Sequence, residues 1–218
     1  GDTKLAQQIV PDRVHPGPGG HLVMAGALLE AWDAPATVSA VEIDAATKRV
    51  VHADHAAITE VTGSGGLAWT EADEALPMPI DLSDAVVALA VRSSNFVAAL
   101  DQQPLKVTGL SAPRYKLKID GDVVGEFTRE QLEAGINLAI EPTPMLKQAL
   151  AVHKLTVEHN NVHFARWRNV QVPLETDSAA HKQPAMEALD QLESDLVREQ
   201  RAAAQPKPRG FELTPQSP

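Results

Sequence analysis

Apolar residues recur at two different spacings along this chain, and the change of spacing divides it. Over residues 21–32, Leu22, Ala25, Leu28 and Leu29 return at helical intervals behind Gly19 and Gly20, which predicts an amphipathic helix. After Asp33, Ala34 and Pro35 the period drops to two. Segments 37–43, 48–52, 57–62 and 66–71 alternate and carry Val, Ile and Thr, residues that suit a pleated surface. Turn-forming breaks at 44–47 and 63–66 separate them, so the pattern predicts an antiparallel meander. Beyond an extended connector at 76–79, the apolar runs 83–89 and 94–100 fit strand or helix, the second leaning to helix.

The pattern is firmer in the second half. Segments 104–109, 115–120 and 123–127 read as strands, and Asp120-Gly121-Asp122 between the last two is a hairpin signal. Thr128 and Gln131 have capping-box spacing, with Gly135 as the stop of a two-turn helix. Thr143-Pro144 opens a longer helix, since proline at its first position forfeits no hydrogen bond. Its expected inner stripe runs through Leu146, Leu150, His153, Val157, Asn160, Asn161, Phe164 and Trp167. A third helix is expected at 184–205, with Met186, Leu189, Leu192, Leu196 and Val197 on one face. The closing "AQPKPRGFELTPQSP" is proline-rich and is expected to be extended or disordered. No internal repeat is found.

Composition removes several classes of function. A net charge of −10 argues against a nucleic-acid or anionic-membrane surface, which needs clustered Lys and Arg. No run of apolar residues is long enough for a transmembrane helix, and the first residues lack the pattern of a signal peptide. The absence of cysteine excludes disulfides, thiolate chemistry and cysteine-based zinc sites within the chain.

The candidate chemistry lies in "PDRVHPGPGGHLVMAGALLEAW", residues 11–32. A serine hydroxyl needs a general base within reach, and histidine suits because its unperturbed pKa lies near neutrality. A carboxylate on the other ring nitrogen fixes the tautomer and stabilises the imidazolium. Asp12, three residues before His15 on a tight loop, can supply that bond locally.

The extended form D-x-V-H-P-x-x-x-G-H, followed by an apolar helix, resembles the last conserved block of the SGNH/GDSL hydrolases, which are serine esterases, lipases and carbohydrate deacetylases. The resemblance covers residues 10–32. It implies that Asp12 and His15 are the triad Asp and His, with Pro16, Gly20 and His21 continuing the block and 23–31 as the closing helix. The stretch "RYKLKIDGDVVGEFTREQLEAG" is similar to the hairpin in the C-terminal extension of a bacterial subgroup of these enzymes. The family also needs a Gly-Asp-Ser block, and a Gly and an Asn that bind the oxyanion, all well upstream of the triad Asp. Only eleven residues precede Asp12. Gly1-Asp2-Thr3 has no buried strand ahead of it, as a nucleophile turn requires. Ser64, inside Gly63–Gly66, reads as a hairpin loop.

Other polar groups are weighed the same way. His159 and His163 are four apart on the long helix, near His153 and Glu158, and could face one metal ion. A helix packed on a neighbouring domain, its polar groups bonded across that interface, is the preferred reading. His52, Asp54 and His55 read as a solvated strand end, and Trp69 as a core residue rather than a sugar platform.

The expectation is therefore an α+β fragment: the closing helix of an α/β SGNH hydrolase domain (1–33), a strand-rich antiparallel accessory region with a long helix (34–172), and a C-terminal helix with a proline-rich tail (173–218). The resemblance implies a serine ester hydrolase acting on acetyl or short acyl esters, carbohydrate esters among them. Its partners would be that ester substrate and the missing N-terminal half of the domain. No cofactor or metal is expected, the fragment alone is expected to be inactive, and the parent is expected in the periplasm or outside the cell. The alternative is a non-catalytic binding or interaction module accessory to a hydrolase. On either view helix 21–32 should expose apolar surface.

Overall fold

The computed structural model describes residues 3–174 and 180–216, which form two compact units. The first comprises residues 1–147 and 206–218, the second 148–205. Contacts thus divide the chain elsewhere than at 33/34 and 172/173, and the tail belongs with the strands.

Two sheets share the main core of the first unit. β1 (Ala40–Asp44) and β2 (Arg49–Asp54) form an antiparallel pair, but β1 also runs parallel to β5 (Pro104–Thr108), and β5 pairs with the short β8 (Ile136–Asn137). The second sheet is antiparallel, in the order β3 (Ala56–Thr62), β4 (Leu67–Asp73), β9 (Arg209–Pro215), β6 (Arg114–Ile119), β7 (Asp122–Thr128). The expected meander is therefore split: β2 and β3 lie in different sheets. A physical cause is local, since His55, the single residue between them, takes a left-handed φ of 51° that turns the chain out of the first ladder.

Of the two states expected for the tail the extended one is found, but within a sheet: residues 209–215 are the middle strand of the five-stranded sheet. Phe211 and Leu213 are each 1% exposed, while Glu212 and Thr214 point outward. Two inward residues at period two suffice because β9 has strands on both sides: Leu213 meets Leu67 of β4 and Leu117 of β6. The Asp120-Gly121 turn, with φ of 53° and 84°, closes the β6–β7 hairpin and also clamps the new strand. Asp120 accepts from Gly210 N at 2.9 Å and from Arg209 Nη1 at 2.7 Å. After β7 the expected capping box is present at α5 (Arg129–Ala134), where Thr128 and Gln131 cap each other reciprocally.

A second, smaller core joins three helices of the same unit. The ambiguous runs are both helical, α3 (Ala85–Arg92) and α4 (Phe96–Leu100), following α1 (Thr3–Gln7) and α2 (Pro18–Ala31) in the chain. Asp84 starts α3 by accepting from Val86 N and Val87 N. Ile80, Val87, Phe96 and Leu100 form the core, with Leu22 and Leu29 of α2 packed on it. α2 is apolar all round rather than amphipathic, and it packs through glycine. A Cβ on Gly26 would lie 2.8 Å from the Phe96 ring, and one on Gly19 would lie 2.6 Å from the Val86 carbonyl. Its other side leaves Val23, Met24, Leu28 and Trp32 exposed.

In the second unit, α6 (Pro144–Phe164), whose first turn lies in the first unit, continues into a π-helical stretch (Ala165–Gln171), and α7 (Lys182–Ala203) follows. The expected stripe of α6 holds at its start, where Leu146 is buried and Leu150 half-buried, but from His153 onward it is on the open side: Val157, Phe164 and Trp167 are exposed. Val152, Leu155, Thr156, His159 and Val162 are the half-buried ones. Val157 and Trp167 fit helical spacing equally well, so periodicity alone selects the wrong face.

Candidate functional site

The loop between α1 and α2 is tied at its base, where Gly17 N donates to the Ile9 carbonyl at 2.9 Å. Arg13 takes a left-handed φ of 64°, which folds Asp12 back over the residues that follow it. Asp12 Oδ1 then accepts from Val14 N at 2.9 Å and His15 N at 2.6 Å, an Asx-type turn. Its Oδ2 accepts from His15 Nδ1 at 2.6 Å. Both oxygens of one carboxylate thus bond to the Val14–His15 segment, two of the three bonds coming from the histidine. The three bonds, His15 backbone first, hold the Asp12 carboxyl down at about 2, so it is ionised across the physiological range.

This pairing sets the tautomer. With Nδ1–H donating to Asp12, Nε2 presents its lone pair outward, which is the form of a general base. The His15 side chain is 82% exposed and Asp12 53%. No serine or threonine hydroxyl is bonded to the His15 ring among the described residues. Gly1 and Asp2 lie outside the described residues, and Thr3 begins α1. Ser64 lies in the turn between β3 and β4, as expected of a hairpin loop. Asp12 and His15 therefore form a locally fixed pair with the outer ring nitrogen facing solvent.

The remaining polar clusters resolve into structural roles. Glu193 of α7 receives His163 Nδ1 at 3.2 Å and lies 3.7 Å from His159 Nε2, while Arg166 pairs with Asp190 and Gln200 donates to Thr156. These are cross-helix bonds within the second unit, and no group able to hold a metal ion is found among the described residues. His153 is exposed. His55 lies between Glu74, at 3.1 Å, and Asp54, at 3.8 Å, on an exposed strand end. Trp69 is core, 3% exposed, stacked on Phe211 with ring centroids 5.0 Å apart. Among the described residues no helix is long and apolar enough to cross a membrane.

Two buried carboxyls were missed by the sequence reading, Glu71, 2% exposed, and Asp101, 0% exposed, together with the half-buried Asp73 two residues after Glu71. Their signal was available in part, since Glu71 and Asp73 continue the inward phase of Leu67 and Trp69.

No family model and no curated protein matches this chain. Among solved structures it is similar to that of BT4096, a gut microbial diltiazem-metabolizing enzyme, with a TM-score of 0.78 and 25% identity. The match covers 98% of this chain and 59% of the enzyme's, so the chain spans well under two thirds of that protein. The two share a fold, and the neighbour is an enzyme.

Proposed function

We propose that this chain is the C-terminal portion of a serine ester hydrolase of the SGNH/GDSL type, with Asp12 as the orienting carboxylate and His15 as the general base. The observation that carries the reading is the 2.6 Å bond from His15 Nδ1 to an Asp12 carboxylate that also grips the His15 backbone. A serine outside these 218 residues attacks the ester carbonyl. His15 Nε2 takes its proton and returns it to the leaving alcohol, and Asp12 stabilises the imidazolium between the two steps. Oxyanion donors come from the same upstream sequence, and the chemistry requires neither metal nor cofactor. Acetyl and short acyl esters, on small molecules or carbohydrates, are the substrates.

Two further features support the reading. The His15 ring stands in solvent, although a base in a working site is shielded from it. Beside it Val14 and the outer face of α2 (Val23, Met24, Leu28, Trp32) expose apolar side chains. A helix that is apolar all round is built to be buried on both sides. The upstream part of the hydrolase domain would cover both the ring and this face.

The decisive experiment uses the parent protein, with upstream coding sequence included, and nitrophenyl acetate as substrate. His15→Ala should lower kcat by about 10⁶-fold, the scale of losing the triad histidine. The 218-residue chain alone should hydrolyse no faster than its own His15→Ala variant. Equal rates for parent and His15→Ala parent would sink the catalytic assignment and leave a binding module accessory to a hydrolase.

A further inference from the structure

Strand β4 points Leu67, Trp69, Glu71 and Asp73 to one face, and that face begins apolar and ends in two carboxyls. Glu71 Oε2 accepts from Trp69 Nε1 at 2.8 Å. Asp73 Oδ2 accepts from Gln103 Nε2 at 3.0 Å, and Ser39 stands near enough to favour the ionised form of this carboxyl. The carboxyls belong to the five-stranded sheet. Ser39 leads into β1 and Gln103 into β5, so their partners come from the four-stranded sheet, and each partner is 1% exposed. The pair is thus a polar tie between two sheets that otherwise meet through apolar side chains.

This tie is short of hydrogens. Asp73 Oδ1, Gln103 Oε1 and the Ser39 hydroxyl are buried without a hydrogen-bond partner among the described residues, so one spare O–H faces two acceptors that lack a hydrogen. Two carboxylates would add acceptors where donors are already lacking, whereas one carboxylic acid O–H supplies a donor. The charged neighbours do not change this balance. Opposite Glu71 on β9 stands Arg209, whose guanidinium is engaged by Asp120 at 2.7 Å. On β3 the facing residues are Ile58 and Ala56. Glu74, next along the chain, is bonded to His55, and Asp101, two residues before Gln103, is a further buried carboxyl that accepts from Met78 N.

We propose that Glu71 and Asp73 form a pH-sensitive latch between the two sheets, closed while the pair holds a proton and opened when that proton is lost. Without it, two like charges stand two residues apart on one strand face, one buried and one half-buried, and the junction relieves them by admitting water. Burial, reinforced by the charge of Asp73, pushes Glu71 up to about 8, and burial raises Asp73 as well. The folded pair therefore binds its proton more tightly than the unfolded chain does. Its stabilisation is full below the ordinary carboxyl value of 4.5 and is lost as pH rises toward 8. Within that window the opening constant of the junction grows by up to about tenfold per pH unit.

Trp69 is the reporter, because its indole is bonded to the pair. In the full chain with Trp32→Phe and Trp167→Phe, Trp69 emission should titrate between pH 5 and 9 with a midpoint near 8. Amide exchange, corrected for its intrinsic pH dependence, should accelerate at 39, 71–73 and 103 at least tenfold more than at 115–119. Glu71→Gln should abolish the titration and flatten the exchange profile, and Asp73→Asn should do the same should the first variant fail to fold. A flat Trp69 signal in the parent background would overturn the latch, as would an unchanged titration in either folded variant.

Discussion

Replacing Leu213 with alanine tests the least expected element of this fold. Leu213 is 1% exposed and lies between Leu67 of β4 and Leu117 of β6, themselves 3% and 0% exposed. Leucine-to-alanine changes in cores cost about 2–5 kcal/mol, the larger values where the surroundings cannot collapse into the space. Here β9 is hydrogen-bonded on both edges, so the backbone is pinned and the expected cost is about 3–5 kcal/mol. At a urea slope of roughly 2 kcal/mol per molar, the midpoint falls by about 1.5–2.5 M. Glu212→Ala is the control. It removes an outward-facing side chain from the same strand and should change stability by less than about 0.5 kcal/mol. Urea unfolding is followed by Trp69, which stacks on Phe211 and so reports the sheet itself. Equal midpoints for Leu213→Ala and Glu212→Ala would show that the tail does not complete the sheet, and the account of the core would fail with it.

Three further outcomes are expected. Asp12→Ala releases Val14 N, His15 N and His15 Nδ1 together, so nitrogen NMR of His15 should show the ring shifting toward the Nε2–H tautomer while far-ultraviolet circular dichroism stays unchanged. Gly19→Ala gains helix propensity of about 1 kcal/mol but drives a methyl to 2.6 Å from the Val86 carbonyl, so its melting temperature should fall rather than rise. Asp101 is pushed up to about 7 by burial, against the bond from Met78 N. Its contribution to stability is full below its ordinary value of 3.8 and is lost as pH climbs through 7, so Asp101→Asn should narrow the gap between urea midpoints at pH 5 and pH 8.

The parts of this molecule that were legible in sequence are those specified locally. The Asp120-Gly121 turn, the Thr128–Gln131 cap and the Asp12–His15 pair each involve residues within three positions of one another, and each forms as its spacing requires. What sequence left open depends on partners far away in the chain. Phe211 and Leu213 offer only one period of alternation among prolines, too little to announce a strand whose neighbours lie about ninety and one hundred and forty residues upstream. β1 reads equally well as part of a meander and as a parallel partner of β5, because alternation fixes a strand's faces but not its neighbours. On α6 two faces carry apolar residues, and the one that is half-buried is marked by His159 and Thr156, whose partners Glu193 and Gln200 sit on another helix. The inward carboxyls of β4, Glu71 and Asp73, keep the phase of the inward residues, and only their charge argued otherwise.

The central position of β9 also governs when this sheet can form. Without residues 209–215, the β3–β4 pair and the β6–β7 pair have no ladder between them. A chain made from its N-terminus therefore carries two half-sheets with open edges through the synthesis of the entire α6–α7 region. Open edges of this kind recruit strands from other chains. Folding is consequently committed late, by a long-range closure that is slow for its topology, and the molecule is most exposed to aggregation just before its final strand arrives.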